Sequence, residues 1–413
     1  MIFNGWSYGY FYGVFNNERM KFKDCQLKQN GMIKIMKFLA LHLILIFLII
    51  SCSNNLYNNQ QTVETNSLSK SFKNSFYVGA AINEEQILES DKYSVSIIKN
   101  QYNTISPENS LKWMYLQPEP NTFYFDIADK YVAFGENNDM YIIGHTLVWH
   151  SQLAEFMNEV KDSLVMTKHI ENHINTVVTR YKGKIDTWDV VNEALNEDGS
   201  LRESVLLNTL GETYIEKAFK LAEKADPKAE LVYNDYNLCN PKKRAGALKL
   251  IEQLKKSGAK IDGVGMQAHW NLNSPSLKEI ENSIIAYSQL GVKISFTELD
   301  ISVLPNPWEL VGAEVSQNFA KYIGDKKMNP YPKELPDAVQ LKLAKRYEDI
   351  FKLFLKHEDK INRITFWGVT DNDTWLNNFP IKKRTNYPLL FDRNYQPKKA
   401  YHSLMNLKSS SKN

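Results

Sequence analysis

Ile185-Asp-Thr-Trp-Asp-Val-Val-Asn-Glu193 is a short apolar run that stops at a carboxylate. Within it Asp186–Val191 reads as a strand, and the polar pair Asn192-Glu193 falls where that strand ends. Lys293-Ile-Ser-Phe-Thr-Glu298 repeats the arrangement about a hundred residues later. Working outward, the same kind of β-rich run occurs at Tyr77–Ala81, Tyr102–Ile105, Tyr141–His145, Glu230–Tyr233, Gly263–Gln267 and Arg363–Trp367, which with Lys293–Thr297 makes eight. Longer segments lie between them with apolar residues at helical spacing: Leu164–Tyr181, Leu206–Ala225, Leu277–Leu290 and Ala338–His357. Strands alternating with helices predict parallel βα units. Polar residues cluster after nearly every strand and not at a single crevice. That favours a closed (β/α)₈ barrel in one catalytic domain over an open doubly wound sheet. No fixed period repeats along the chain, which argues against a solenoid.

The 413 residues are 43% hydrophobic and 23% charged, a globular composition that excludes disordered and collagen-like chains. There are 50 Lys+Arg against 47 Asp+Glu, and residues 1–51 alone hold six basic and two acidic residues. The remaining body is therefore close to neutral and offers no basic face for nucleic acid. Cys25, Cys52 and Cys239 are too few and too scattered for a disulfide framework or a four-thiolate zinc site.

Phe38–Ile50 reads FLALHLILIFLII and follows Lys34 and Lys37. Thirteen helical residues reach about 20 Å, short of the ~30 Å hydrocarbon core, so the run predicts an export signal and not a membrane span. Ile49-Ile-Ser-Cys52 follows at once and resembles the cleavage box of bacterial lipoproteins, in which the cysteine is acylated and becomes the new N-terminus. Residues 1–31 are expected to be a gene-model extension, 32–51 the lipoprotein signal, 52–74 a polar flexible tether and 75–408 the barrel. The anchor implies an exported lipoprotein held at the outer membrane.

Glu193 and Glu298 are the chemically suggestive pair. Cleaving a glycosidic bond requires a proton for the leaving oxygen and a nucleophile or activated water at the sugar carbon, and two carboxyls flanking one site supply both. Asn192 precedes the first carboxylate, while His269 and Asp300 are available to orient the second.

Seven ordered motifs resemble the family 10 glycoside hydrolases, retaining endo-1,4-β-xylanases with carboxyls on barrel strands four and seven. They are Glu108-Asn-Ser-Leu-Lys-Trp113, His145-Thr-Leu-Val-Trp-His150, Trp188-Asp-Val-Val-Asn-Glu-Ala194, Tyr233-Asn-Asp-Tyr-Asn237, Gly265-Met-Gln-Ala-His269, Phe296-Thr-Glu-Leu-Asp300 and Thr365-Phe-Trp-Gly368. The resemblance spans about residues 72–408. It implies that Glu193 is the general acid/base, Glu298 the nucleophile, Asn192 the ligand of the sugar 2-hydroxyl, and His269 with Asp300 the support of Glu298. By the same resemblance Glu108, Asn109, Lys112, His145, Trp149 and Gln152 would bind the glycone side. Tyr236 and Gln267 would line the site near the acid/base, and Trp367 and Trp375 would wall the pocket. The implied partners are xylan and its oligosaccharides, with no metal or organic cofactor, since two carboxyls suffice.

Other features read more plainly. His169 and His173 stand four apart, but the acid between them is Glu171, which is not the zinc-protease order, so His173 is expected in helix packing. Gly263-Val-Gly265-Met-Gln-Ala268 lies inside a strand and opens no helix, unlike a dinucleotide loop. Trp113 and Trp188 are expected in the core, and Cys239 as a structural thiol. Leu304–Pro336 looks longer and more proline-rich than a bare barrel needs. Two rivals to a xylanase stay open at this point: another β-glycanase of the same clan such as a cellulase, and a non-catalytic glycan-binding lipoprotein.

Overall fold

The computed structural model describes residues 67–410 apart from 311, 313–316 and 318. Nine parallel-paired strands are present in this part: β1 Tyr77–Ile82, β2 Thr104–Pro107, β3 Tyr141–Trp149, β4 Thr187–Asn192, β5 Glu230–Asp235, β6 Gly263–Met266, β7 His269–Asn271, β8 Lys293–Ser302 and β9 Ile361–Phe366. Consecutive strands pair from β1 to β6, β6 pairs directly with β8, and β9 pairs with β1. The sheet therefore closes on itself as eight staves, the expected (β/α)₈ barrel. β7 is not a ninth stave. Strand six breaks after Met266, Ala268 takes a positive φ of 68°, and His269–Asn271 pairs anew with the far end of β8, His269 opposite Asp300. That kink brings His269 and Asp300 together.

The eight staves are buried on both faces along nearly their whole length, so burial is continuous and not alternating. Close packing inside the wall explains one glycine: a Cβ on Gly144 would lie 2.1 Å from the ring of Trp188, which is fully buried. Outside the barrel, the helix Ser163–Arg180 is capped by Asp162, whose carboxylate accepts from the amides of Leu164 and Val165. Leu277–Ser288 starts with a Ser276/Glu279 capping box. The expected single helix Leu206–Ala225 is two helices, Val205–Leu210 and Thr213–Ala225, because Gly211 at φ 67° ends the first. His173, Trp113 and Trp188 are in the core as expected. His173 stacks on Trp113 at 3.8 Å and shares a hydrogen bond with Gln117, and burial pushes its pKa down to about 3.

The expected tether overran the domain boundary. Ser67 caps the helix Leu68–Ser71, Leu68 and Phe72 have no exposed surface, and Phe72 packs on Phe76 and Phe351, both at 5.4 Å. Residues 67–74 thus belong to the barrel and not to a linker. Phe72→Ala should lower the urea midpoint by an amount equivalent to about 3–5 kcal/mol, the usual cost of emptying a buried phenylalanine site. An unshifted midpoint would return this segment to the tether.

Candidate active site

Glu193 and Glu298 stand at the C-terminal end of the barrel, the first just beyond β4 and the second within β8. Several non-glycine residues with positive φ cluster at these strand ends: Gln152 (46°), Glu193 (56°), Asn237 (53°) and Ala268 (68°). Such conformations cost about 1–3 kcal/mol each and persist where surrounding contacts over-determine them. Two of them, Gln152 and Glu193, line the cleft described below.

The two carboxyls, each about 5% exposed, have opposite surroundings. The Glu193 carboxyl is bonded by two neutral donors among the described residues: Trp149 Nε1 donates to Oε2 at 2.9 Å and Gln267 Nε2 to Oε1 at 2.9 Å. Burial raises its pKa, and the negative charge of Asp235 adds to that. Glu298 accepts from Asn234 Nδ2 at 2.8 Å and shares a 3.0 Å hydrogen bond with His269 Nε2. Burial would raise its pKa too, but the His269 bond and nearby positive charge overcome it and the net shift is downward.

His145 and His269 both supply that charge, and His269 is the one bonded to the carboxylate. Burial disfavours the imidazolium, yet the charge of Asp300, its 3.0 Å bond to Nδ1 and the bond to Glu298 push the pKa up to about 10. The group's contribution to stability is therefore complete below its ordinary value of 6.5 and is lost as pH rises through about 10. Trp375 Nε1 donates to the same Asp300 oxygen, Oδ2, at 2.8 Å, and Trp375 stands against the imidazole at 4.8 Å. Trp375 is thus both a wall, as expected, and part of the chain of bonds behind Glu298.

Asn192 bridges the two halves. Its Oδ1 accepts from Asn234 Nδ2 at 2.9 Å and Gln267 Nε2 at 3.3 Å, which leaves its own amide nitrogen to donate. Thr297 Oγ1 donates to Asn234 Oδ1 at 2.7 Å, and a Cβ on Gly265 would fall 2.3 Å from that oxygen. The glycine-rich stretch in strand six therefore makes room for Asn234.

A cleft of about 170 Å³ is lined by Glu108, Asn109, Lys112, Gln152, Glu193, Gln267, His269, Glu298, Trp367 and Trp375. Lys112 donates to Asn109 at 3.0 Å and Gln152 at 2.9 Å and lies 5.1 Å from the Trp149 ring. Burial lowers its pKa, against which Glu108, Glu298 and Glu193 act. His145 lies behind this rim, with Nδ1 3.0 Å from Asp189 and its ring edge-on to Trp367 at 5.4 Å. Trp149 is engaged with Glu193 as described. Tyr236 departs from expectation: it does not line this cleft, is 2% exposed, and accepts from Arg202, which also binds the Glu193 carbonyl. The hollow of about 400 Å³ along Leu195, Leu201, Ile215 and Leu250 is larger but contains neither carboxyl of the pair. No group of three or more His, Cys, Asp or Glu among the described residues could hold a metal ion.

Sequence reading missed Asn234, Asp235, Asp189 and Arg202. The first two lie inside the quoted Tyr233-Asn-Asp-Tyr-Asn237 motif, so position at a strand end could have flagged them; Arg202 gives no comparable signal. One carboxyl shifted toward its neutral form and one toward its ionised form in a single cleft can deliver a proton and attack an electrophilic carbon.

Residues 67–407 match the model of glycosyl hydrolase family 10. The chain is 43% identical over 337 residues to endo-1,4-beta-xylanase A of Xylanibacter ruminicola, covering 80% of this chain and 90% of that protein. It is 39% identical over 351 residues to the endo-1,4-beta-xylanase of Geobacillus stearothermophilus, covering 83% and 98%. Among solved structures it superposes with a TM-score of 0.77 on a family 10 endoxylanase retrieved from sugarcane soil metagenome, at 45% identity over 83% of this chain and 99% of that one. A mutant solved in complex with xylotriose superposes at 0.74 with 33% identity over 83% and 100%. Barrel, cleft and sequence agree, and the chain belongs to glycosyl hydrolase family 10.

Proposed function

We propose that the protein is an endo-acting, retaining xylanase that cuts internal 1,4-β-xylosidic linkages with Glu193 as acid/base and Glu298 as nucleophile. The observation that carries the assignment is the opposed setting of the two buried carboxyls, with neutral donors on Glu193 and an imidazolium on Glu298. The relatives named endo-1,4-beta-xylanase and the xylotriose complex support the substrate class.

In the first step Glu298 attacks the anomeric carbon while Glu193 protonates the departing oxygen, giving a xylosyl ester on Glu298. With that charge consumed, Glu193 as carboxylate takes a proton from water, which attacks the same carbon and expels Glu298. Net configuration is retained, which calls for carboxyls about 5–5.5 Å apart. The free amide nitrogen of Asn192 suits the 2-hydroxyl of the reacting sugar, while Glu108, Asn109, Lys112 and Gln152 supply polar contacts beside it. Trp367 and Trp375 present flat walls to the ring. Release of reducing ends from xylan but not from carboxymethylcellulose tests the substrate class; equal release from both would favour a broader β-glycanase, and none from either a binding protein.

The acid limb of the pH profile reports Glu298. Asp300→Asn removes the charge that sustains the imidazolium, so His269 titrates lower and Glu298 higher. The acid limb of kcat/KM on xylo-oligosaccharides should move up by about one pH unit, the low end of what a neighbouring charge does to a carboxylate. An unmoved limb would remove His269 from the control of Glu298.

We also propose that the protein is exported and held at the outer membrane by acylation of Cys52. This rests on Lys34, Lys37, the apolar run Phe38–Ile50 and the cysteine that follows it; all of these residues lie outside those described. Cys52→Ala should abolish lipid labelling and move the protein to the soluble fraction, stable anchoring requiring more than one acyl chain. A soluble, unmodified wild type would contradict it.

A further inference from the structure

Glu193 adopts φ 56°, a left-handed conformation that a residue with a Cβ avoids. Trp149 and Gln267 grip only the tip of its side chain. The Glu193 amide donates to the Asn234 carbonyl at 2.9 Å, and the carbonyl side of the turn is held by Arg202. Arg202 donates from Nε to the Glu193 carbonyl at 3.0 Å, from its own amide to the Ala194 carbonyl at 2.8 Å, and from Nη2 to the Leu195 carbonyl at 3.0 Å. Three successive carbonyls after the strand end thus converge on one side chain and its amide. The same Nη2 donates to the Tyr236 hydroxyl at 2.5 Å. Tyr236 is itself immobilised: Lys243 Nζ sits 3.5 Å over its ring, and a Cβ on Gly312 would meet that ring at 2.5 Å. The buried Lys243 pairs in turn with Asp235 at 2.9 Å.

We propose that Arg202 is a positioning residue for proton transfer, clamping the Glu193 backbone in its left-handed turn so that the carboxyl meets the leaving oxygen. The inference rests on Glu193 being the acid/base. A general acid works only within hydrogen-bond reach of the atom it protonates, and three side-chain torsions separate the carboxyl from the backbone atom that Arg202 fixes. Charged donors to carbonyls are the stronger kind of hydrogen bond, and the rigid guanidinium fork reaches several acceptors at once where an ammonium cannot. Arg202 binds the carbonyl and not the carboxyl, so its direct hold is on the backbone of Glu193.

The test separates aim from general damage. Aryl β-xylobiosides with phenols of graded acidity measure how much protonation the leaving group needs. In Arg202→Ala, kcat/KM for a dinitrophenyl glycoside should stay within about threefold of wild type, since that phenolate leaves unaided. For the phenyl glycoside and for xylan it should fall roughly 30-fold or more, a substantial part of the 10²–10⁴ that a general acid supplies. Arg202→Lys keeps the charge but not the fork; it should show the same dependence more weakly, and it reads the same quantity if the alanine variant does not accumulate folded. An equal loss with every leaving group, or no loss, would overturn the inference. Glu193→Ala run in the same series distinguishes the two readings: if it too shows no dependence on the phenol, the acid/base assignment fails, whereas dependence there but not at Arg202 rejects the clamp alone.

Discussion

Replacing Glu298 by alanine is expected to lower turnover of xylan by on the order of 10⁴–10⁶-fold, the scale on which loss of a covalent nucleophile acts. The variant should fold, because the carboxylate is held by bonds to His269 and Asn234 and leaves behind a site that water can enter. The cause of the loss is specific. His269 and Asp300 keep the carboxylate ionised next to the anomeric carbon, and no other described side chain in the cleft combines that charge state with that support. Azide entering the vacated space attacks from the face Glu298 used, while Glu193 still protonates the leaving group. An activated xyloside should then give the α-azide, read by proton NMR.

Glu193→Ala is expected to cost about 10²–10⁴-fold on xylan, the range general acid catalysis supplies. An aryl xyloside with an acidic phenol needs little protonation, so the xylosyl ester on Glu298 should still form and then accumulate. Azide requires no general base and should restore turnover, giving the β-azide because it attacks the ester from the opposite face. Burial and the charge of Asp235 raise the pKa of Glu193 and so favour its protonated form. The alkaline limb of the wild-type profile should therefore lie above an ordinary glutamate and vanish in this variant for activated substrates. Swapped azide configurations in the two variants would reverse the roles.

Much of this site was legible in the chain because a closed parallel barrel exports its chemistry to strand ends, and each strand here is a dense apolar run that stops visibly. Glu193 after Asn192, and Glu298 inside Phe296-Thr-Glu-Leu-Asp300, were found that way. What escaped were contacts between distant positions. Trp375 reaches Asp300 across 75 residues and Asn234 reaches Glu298 across 64, and neither leaves a local period to read. Lys243 lies on a helix rich in lysine, where nothing local sets it apart, yet it is buried against Asp235 and Tyr236. The domain start was misplaced for a related reason. Leu68 and Phe72 are two isolated apolar residues in a polar stretch, and a helix of four residues has too few turns to show a pattern. Both residues are nonetheless fully buried once Phe351 and the first helix meet.

The central claim, that Glu298 is the group that becomes covalently bound to the sugar, can be read directly by trapping the intermediate. An activated 2-deoxy-2-fluoro-β-xylobioside slows both steps, but its good leaving group lets the ester form and persist. Inactivated enzyme would be digested and the labelled peptide sequenced by mass spectrometry. One sugar per protein is expected, attached to Glu298 in the peptide that spans Lys293 to Ser302. A sugar on Glu193, or time-dependent hydrolysis with no covalent adduct and an inverted product, would contradict it.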